Sequence, residues 1–142
     1  MVKLLLALIF LVFSLYAEPI TPIINVANLD AKKVALGKLL FFDSILSADD
    51  TISCASCHKL DEGGDDNLKF SLGINGQFGD INSPTVYNSV YNFRQFWNGR
   101  SENLAEQAKG PIENPIEMGN NFKNVIDTLN KTEYKEHFKK IY

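Results

Sequence analysis

Cys54, Cys57 and His58 are the residues of this sequence whose types and spacing most clearly specify a chemistry. They form the run Cys-x-x-Cys-His and include both cysteines of the 142-residue chain. Two thiols at this spacing can form thioether bonds to the two vinyl groups of one porphyrin, and the adjacent histidine can then bind the iron. The motif therefore predicts covalently bound haem c, with His58 as an axial ligand of the haem iron.

Three other kinds of cysteine site share this spacing: a thioredoxin-like redox pair, half of a zinc site and a structural disulfide. A redox pair is expected beside a β-α-β pattern, which residues 40–75 do not show. A zinc ion would need two more ligands at recognisable spacing, and His137, the other histidine, lies far along the chain. The sequence therefore favours haem attachment over these three sites.

The first 17 residues have the pattern of an export signal. Lys3 supplies a positive charge, residues 4–15 are apolar, and Ala17 is a plausible cleavage point before Glu18. The apolar run is shorter than the roughly 18 to 20 residues that a membrane-spanning helix needs. We therefore predict a signal peptide over residues 1–17, a periplasmic location, and no membrane partner after cleavage. Bacteria attach haem c outside the cytoplasm, so the signal and the haem motif support each other.

The charge and length of the chain narrow the possible functions. The formal net charge is -3, and cleavage would remove Lys3 and leave 13 basic against 17 acidic side chains. A mildly acidic exported protein is a poor candidate for nucleic-acid binding. Residues 18–142 suit one small domain, and a haem at its centre would add apolar surface to a modest core.

Helical patterns predict a mainly α fold, with weak strand signals throughout. Asp30 is a suitable N-cap for a helix over residues 31–42, and a short helix should carry Cys54 to His58. Residues 60–83 are rich in glycine and predict a long irregular stretch, which is often functional or ligand-covering. The predicted apolar face of the first helix consists of Val34, Leu36, Leu39 and Leu40.

Three further helices are predicted in the second half of the chain. Ser101 is a candidate N-cap for a helix that runs through Lys109 and is ended by Gly110-Pro111. Residues 121–129 form the next helix, and Thr132 is the candidate N-cap of a helix from residue 133 to the end.

The order of motifs resembles the N-terminal domain of the bacterial dihaem cytochrome c peroxidases and the related dihaem oxidases. The resemblance covers residues 34 to about 120, and its order and spacing are far more specific than any one block. The blocks are Leu36-Gly37-Lys38-Leu39-Leu40-Phe41-Phe42-Asp43, Leu46-Ser47, Ser53-Cys54-Ala55-Ser56-Cys57-His58, Asn82-Ser83-Pro84-Thr85, Phe96-Trp97-Asn98-Gly99-Arg100 and Asn114-Pro115-Ile116-Glu117-Met118.

The resemblance implies a cytochrome c-like haem domain with long irregular loops around the haem, and a peroxidase activity. The implied reaction reduces hydrogen peroxide to water with electrons from a small cytochrome c or a similar donor. Glu117 matches the acid–base residue, Gln107 its companion in the distal pocket, and Trp97 the tryptophan between the two haems. From the residues alone, Glu117 would be a solvated loop carboxylate and Trp97 a core aromatic.

The resemblance also implies further ligands and partners. Arg100 is expected to meet a haem propionate, although an ordinary surface position fits an arginine equally well. Asn82 matches a ligand of a calcium ion at the junction of the two haem domains; on its own it reads as a turn former. Members of the family often form homodimers. Met118 is expected to pack against other side chains and His137 to lie at the surface.

Two departures from the family pattern affect the expected chemistry. Ile74 stands where many members carry a histidine that binds the iron until the partner haem is reduced, so we predict an iron without that sixth ligand. The sequence also contains one haem motif where the family has two, which predicts either a partial product or a stand-alone half without the second haem domain. The alternative function is an electron carrier with one haem and no peroxidase turnover. Such carriers commonly use a methionine as an axial ligand of the iron. No methionine lies in the resembling distal loop, which counts against this alternative.

Overall fold

The computed structural model describes residues 21–23 and 29–142. The predicted signal peptide, residues 1–17, lies outside the described residues. Within the described part of the chain, no helix is long and apolar enough to cross a membrane.

The fold is mainly α, as the sequence predicted. The described residues form six helices joined by long loops, with three short 3-10 segments and three isolated β-bridges. The helices are α1 (Ala31–Phe42), α2 (Cys54–Cys57), α3 (Leu104–Gln107), α4 (Lys109–Glu113), α5 (Phe122–Leu129) and α6 (Tyr134–Lys139). The 3-10 segments are Ser44–Leu46, Ile74–Gly76 and Ser89–Tyr91, and the bridges pair Lys59 with Asp65, Leu72 with Phe78 and Gln95 with Ser101.

Helix α1 confirms the predicted boundaries but not the predicted apolar face. The Asp30 carboxylate accepts hydrogen bonds from the Lys32 and Lys33 amides at 2.8 and 3.2 Å and caps the helix. Leu36 is buried, whereas Val34 and Leu39 are about half exposed. Residues two apart on a helix point to nearly opposite sides, so Val34 cannot share a face with Leu36.

The helix predicted from Ser101 to Lys109 is wrong at both ends. Asn103 is the N-cap, and its side chain accepts from the Glu106 amide at 3.0 Å, while Ser101 is buried in the bridge to Gln95. Gly110-Pro111 lies inside α4 and does not end the helical segment. Proline is tolerated there because the first turn of a helix needs no amide donor.

The two tail helices are close to their predicted positions. Asn121 caps α5 by accepting from the Asn124 amide at 2.9 Å, so the helix begins one residue later than predicted. Helix α6 is shorter than predicted, and Glu133, not Thr132, is its N-cap residue. The Thr132 hydroxyl instead donates to the Leu129 carbonyl at 3.0 Å.

A small core packs α1 and the two tail helices against the loop that follows α4. Met118, on that loop, is 3% exposed and packs as predicted. Two long-range hydrogen bonds anchor the loop: the Ala48 amide donates to the Met118 carbonyl at 2.8 Å, and the Asn120 amide group donates to the Leu46 carbonyl at 3.0 Å. The buried members of the core are Leu36, Leu46, Met118, Val125, Leu129 and Tyr134. The residue before Met118 is Glu117, so the core fixes the backbone that carries this carboxylate.

Candidate functional site

Helix α2 places both cysteines on one turn. The Ser53 amide donates to the Ser56 hydroxyl at 3.0 Å at the start of the helix. Cys54 and Cys57 are three residues apart and therefore lie on the same face of the helix. His58 ends the helix, and its backbone amide donates to the Cys54 carbonyl at 3.0 Å. One short helix thus presents the two thiols and the adjoining imidazole together, as the sequence predicted.

The imidazole of His58 is oriented by a backbone carbonyl. Its Nδ1 lies 3.2 Å from the carbonyl oxygen of Gly64. A carbonyl can only accept, so in the neutral imidazole Nδ1 carries the proton and Nε2 the lone pair. The Val86 amide donates to the same carbonyl at 3.1 Å, and Gly64 has a φ of +82°, a conformation that glycine adopts without strain. This arrangement leaves Nε2 available to bind a metal.

The two thiols do not resemble a redox or zinc site. Both cysteines are free, and burial raises the pKa of each thiol. A catalytic redox cysteine needs a lowered pKa, because the thiolate is the nucleophile. Among the described residues, no group of three or more His, Cys, Asp or Glu side chains could hold a metal ion. The alternatives weighed from the sequence therefore gain no support, and a covalent haem remains the group that this set of residues fits.

The surroundings of α2 also fit a haem. Five large apolar side chains in the loop after the motif are each more than one third exposed: Leu60, Leu68, Phe70, Leu72 and Phe78. Such a concentration of exposed apolar side chains marks a surface that another apolar group covers. Cys57 Sγ lies 3.7 Å from the Leu72 carbonyl oxygen, so this loop runs directly beside the thiols. Cys54, Cys57 and His58 would hold the haem, and the loop would cover its ring.

Glu117 lies close to this haem-binding motif. Its charge is near enough to Cys57 to contribute to the raised pKa of that thiol, and the charge of His58 in turn acts on Glu117. Glu117 is half buried, and this burial raises the pKa of its carboxyl group. The hydrogen bond from Asn114, whose Nδ2 donates to Glu117 Oε1 at 2.7 Å, and the nearby charge of Arg100 both oppose the shift. A solvated loop carboxylate would show no such burial.

The backbone of Glu117 is pressed against the loop that contains Ile74. The Ile74 amide donates to the Glu117 carbonyl at 2.9 Å. A Cβ atom at Gly73 would collide with the backbone carbonyl of Ile116, so only glycine allows this approach. Ile74 itself is 5% exposed and carries no group that can bind iron. The predicted lack of a sixth ligand from this position stays a prediction.

The segment around Trp97 is exposed. Trp97 is 64% exposed, which is inconsistent with a core aromatic, and its Nε1 donates to the Asn82 carbonyl at 3.2 Å. The Arg100 guanidinium lies 3.3 Å from the centre of the Phe96 ring, and its Nη1 donates to Asn98 Oδ1 at 3.1 Å. The propionate contact predicted for Arg100 stays a prediction.

The structure shows fewer contacts between the site and three further residues, Gln107, Asn82 and His137. Gln107 is half buried at the end of α3, and within residues 29–142 no hydrogen bond joins it to Glu117. Within the part of the chain that the structure describes, the Asn82 side chain donates only to the Ser83 carbonyl, at 3.5 Å, and the calcium site stays a prediction. His137 lies beside Tyr134, with ring centres 6.1 Å apart, and is partly buried, not fully at the surface as predicted.

Asn114 is the residue of this site that the sequence interpretation did not identify. Its side chain contacts the proposed acid–base residue directly. An asparagine before proline commonly forms a local turn with its side chain. That signal, together with a glutamate three residues later, could have indicated the contact.

Comparisons with known proteins agree with these features. Residues 31–142 match the family described as di-haem cytochrome c peroxidase. The chain is 50% identical over 127 residues to a cytochrome c peroxidase of Escherichia coli K12, covering 88% of this chain and 27% of that protein. It is 48% identical over 128 residues to a cytochrome c551 peroxidase of Nitrosomonas europaea, covering 88% of this chain and 38% of that protein.

A solved structure has a similar fold. The crystal structure of the diheme peroxidase BthA from Burkholderia thailandensis matches with a TM-score of 0.71 and 28% identity, covering 84% of this chain and 34% of that chain. The cytochrome c-like fold predicted from the resemblance is thereby confirmed. The chain spans about a third of the length of the relatives it matches.

Proposed function

The chain belongs to the di-haem cytochrome c peroxidase family, and on this basis we propose that residues 18–142 form a peroxidatic haem domain that reduces hydrogen peroxide to water. The domain would bind haem c through Cys54, Cys57 and His58. It would act in the periplasm after export, with a small cytochrome c as electron donor. The reaction consumes two electrons and two protons for each peroxide and yields two waters.

The half-buried carboxyl of Glu117, close to His58, is the observation that carries this proposal. The bound haem would supply the iron that binds peroxide and the path for the electrons. Breaking an O–O bond requires a proton on the departing oxygen, and a carboxylate can take that proton from the nearer oxygen and deliver it. Burial raises the pKa of Glu117, which suits a group that must both accept and donate a proton near neutral pH.

Electron supply is the second part of the proposal. Trp97 is exposed on the described surface, so it can meet a donor or a second haem domain, and we assign it the role of relaying electrons to the haem. Gln107 is assigned to the peroxide-binding side as a companion of Glu117. Calcium binding at Asn82 and homodimer formation stay predictions that the reaction does not require.

The Glu117→Gln substitution tests the proposed proton transfer. Glutamine keeps the size of the side chain and can still accept from Asn114, but it cannot move a proton. In the haem-loaded chain, we expect peroxide consumption with a reduced small cytochrome c to fall by about 10²- to 10⁴-fold. Haem content, measured from the absorbance of the pyridine complex, should not change.

Glu113→Gln is the matched control, because Glu113 is an exposed carboxylate on α4. This variant should turn over peroxide as the original protein does. Equal turnover in Glu117→Gln would remove Glu117 from the mechanism. If the original protein oxidises no donor in the presence of peroxide yet exchanges electrons with the donor cytochrome, the chain is an electron carrier and the peroxidase proposal is wrong.

A further inference from the structure

The side-chain amide of Asn114 has a fixed orientation. Its Oδ1 accepts a hydrogen bond from the Ile116 backbone amide at 3.0 Å, and only the oxygen end of the group can accept. The Nδ2 end therefore points the other way, where it donates to Glu117 Oε1 at 2.7 Å. The backbone of the loop itself thus determines that Glu117 meets a donor.

The backbone around Asn114 is equally constrained. The Asn114 carbonyl accepts from the Glu117 amide at 3.1 Å and from the Gly119 amide at 2.8 Å, which closes a tight turn. Met118, inside this turn, is buried in the core. Asn114 and Glu117 are therefore held at a fixed separation.

This contact involves one carboxylate oxygen and leaves the other available. Among the described residues, Glu117 Oε2 accepts no hydrogen bond. A donor fixed on Oε1 holds the plane of the carboxylate, so that Oε2 keeps one direction. A short hydrogen bond to the ionised form also favours ionisation, whereas burial opposes it.

We propose that Asn114 is the positioning residue for Glu117: its amide holds Oε1 and leaves Oε2 to exchange protons with the substrate. This inference rests on the acid–base role proposed above for Glu117. The titratable and charged groups that face Glu117 are Arg100, His58 and Cys57. None of them makes a hydrogen bond to Glu117 within the described residues, so Asn114 provides the directional contact.

Asn114→Asp separates this role from the role of Asn114 in the turn. Aspartate keeps the oxygen that accepts from Ile116, so the turn should persist, but it replaces the Nδ2 donor with a second carboxylate oxygen. Loss of the donor and the added negative charge both raise the pKa of the neighbouring carboxyl. We expect the Glu117 carboxyl, followed by infrared difference spectroscopy of the haem-loaded chain, to titrate higher by about one pH unit or more. Its band is identified by its loss in Glu117→Gln.

The pH profile of peroxide turnover provides a second measurement. Its acid limb should move to higher pH by the same amount, because the carboxyl must ionise before it can accept a proton. Asn121→Asp is the matched control, since Asn121 Oδ1 also accepts from a backbone amide, and within residues 29–142 its Nδ2 contacts no carboxylate. This control should leave both the carboxyl titration and the pH profile unchanged.

The outcomes distinguish this inference from the proposed function. An unshifted Glu117 titration in Asn114→Asp would overturn the positioning role, whatever happens to turnover. A shifted titration in a protein that reduces no peroxide would support the role of Asn114 and overturn the peroxidase proposal. If Asn114→Asp does not fold, Asn114→Ser keeps an oxygen acceptor for the turn without the added charge. A smaller shift in the same direction is then expected, and no shift would again overturn the positioning role.

Discussion

Glu117 differs from several other carboxyl groups of the described chain in the direction of its pKa shift. Hydrogen bonds to backbone or side-chain donors lower the pKa of Asp30, Asp49 and Glu62, and these groups are exposed. Burial raises the pKa of Glu117 although the hydrogen bond from Asn114 and the nearby charge of Arg100 both oppose the shift. Perturbed ionisable groups concentrate at functional sites. The raised pKa of this one carboxyl, beside the haem-binding motif, supports the proton-transfer role proposed for Glu117.

Tyr134 provides a residue-scale test of the core. Its hydroxyl donates to Asp43 Oδ2 at 2.7 Å, and burial, together with this hydrogen bond, raises the pKa of Tyr134 to about 12. Because the folded chain holds this proton more tightly than the unfolded chain, the stabilisation is complete below the unfolded pKa of about 10. It is lost as the pH rises towards 12.

Tyr134→Phe should therefore lower the free energy of unfolding of the haem-loaded chain by about 1 kcal/mol at pH 8, the net value of one hydrogen bond. The difference from the original protein should shrink between pH 10 and pH 12. Denaturant titrations followed by circular dichroism would measure both effects. Tyr142→Phe is the control, since Tyr142 is 83% exposed. A difference that stays constant across this pH range would show that the Tyr134 proton is not coupled to folding.

At the element scale, the approach of two loops determines where Glu117 lies. Gly73 lets the Ile74 backbone reach the Glu117 carbonyl, because a Cβ atom at Gly73 would meet the backbone of Ile116. Gly73→Ala should therefore push the loops apart, destabilise the haem-loaded chain by about 1 to 3 kcal/mol, and reduce peroxide turnover. Thermal melting and turnover, measured on the same samples, would test both effects.

Gly37→Ala is the matched comparison. Gly37 lies inside α1, and an added Cβ would have no neighbour within 4 Å among the described residues. Alanine is the better helix former, so this change should raise the stability by about 0.5 to 1 kcal/mol and leave turnover unchanged. Equal effects of the two substitutions would show that the close approach at Gly73 does not position Glu117.

The sequence correctly predicted the helices whose starting points depend on residues close by in the chain. Asp30 before an apolar segment predicted the start of α1, and the helix predicted over residues 121–129 begins within one residue of α5. The predicted start of α3 was wrong because Ser101 pairs with Gln95 in a β-bridge. Rules for helix caps do not include such a contact. The Asn114 contact depends on the turn that closes around Met118, so it became visible only once the fold placed both side chains on one loop.

At the scale of the whole molecule, the buried core of the described residues is small. Within the described residues, no large side chain is less than 2% exposed, and the buried core is one small cluster. The loop after the haem motif adds several large apolar side chains that stay exposed, Leu60, Phe70 and Phe78 among them. Apolar area removed from water is the main favourable term in folding. A haem covered by this loop would therefore contribute to stability as well as to chemistry.

Replacing both cysteines, Cys54→Ala with Cys57→Ala, tests this dependence because the haem can then no longer be attached covalently. We expect the melting temperature of the chain to fall by on the order of 10 °C or more, because a ligand that binds only the folded state stabilises that state. Binding of a fluorescent apolar dye should increase, because the loop side chains lose their cover. Haem content, measured in parallel, shows how much haem each sample retains. If the haem-free variant melts at the temperature of the haem-loaded protein and binds no more dye, the small core alone supports the fold, and the exposed apolar loop must have another partner.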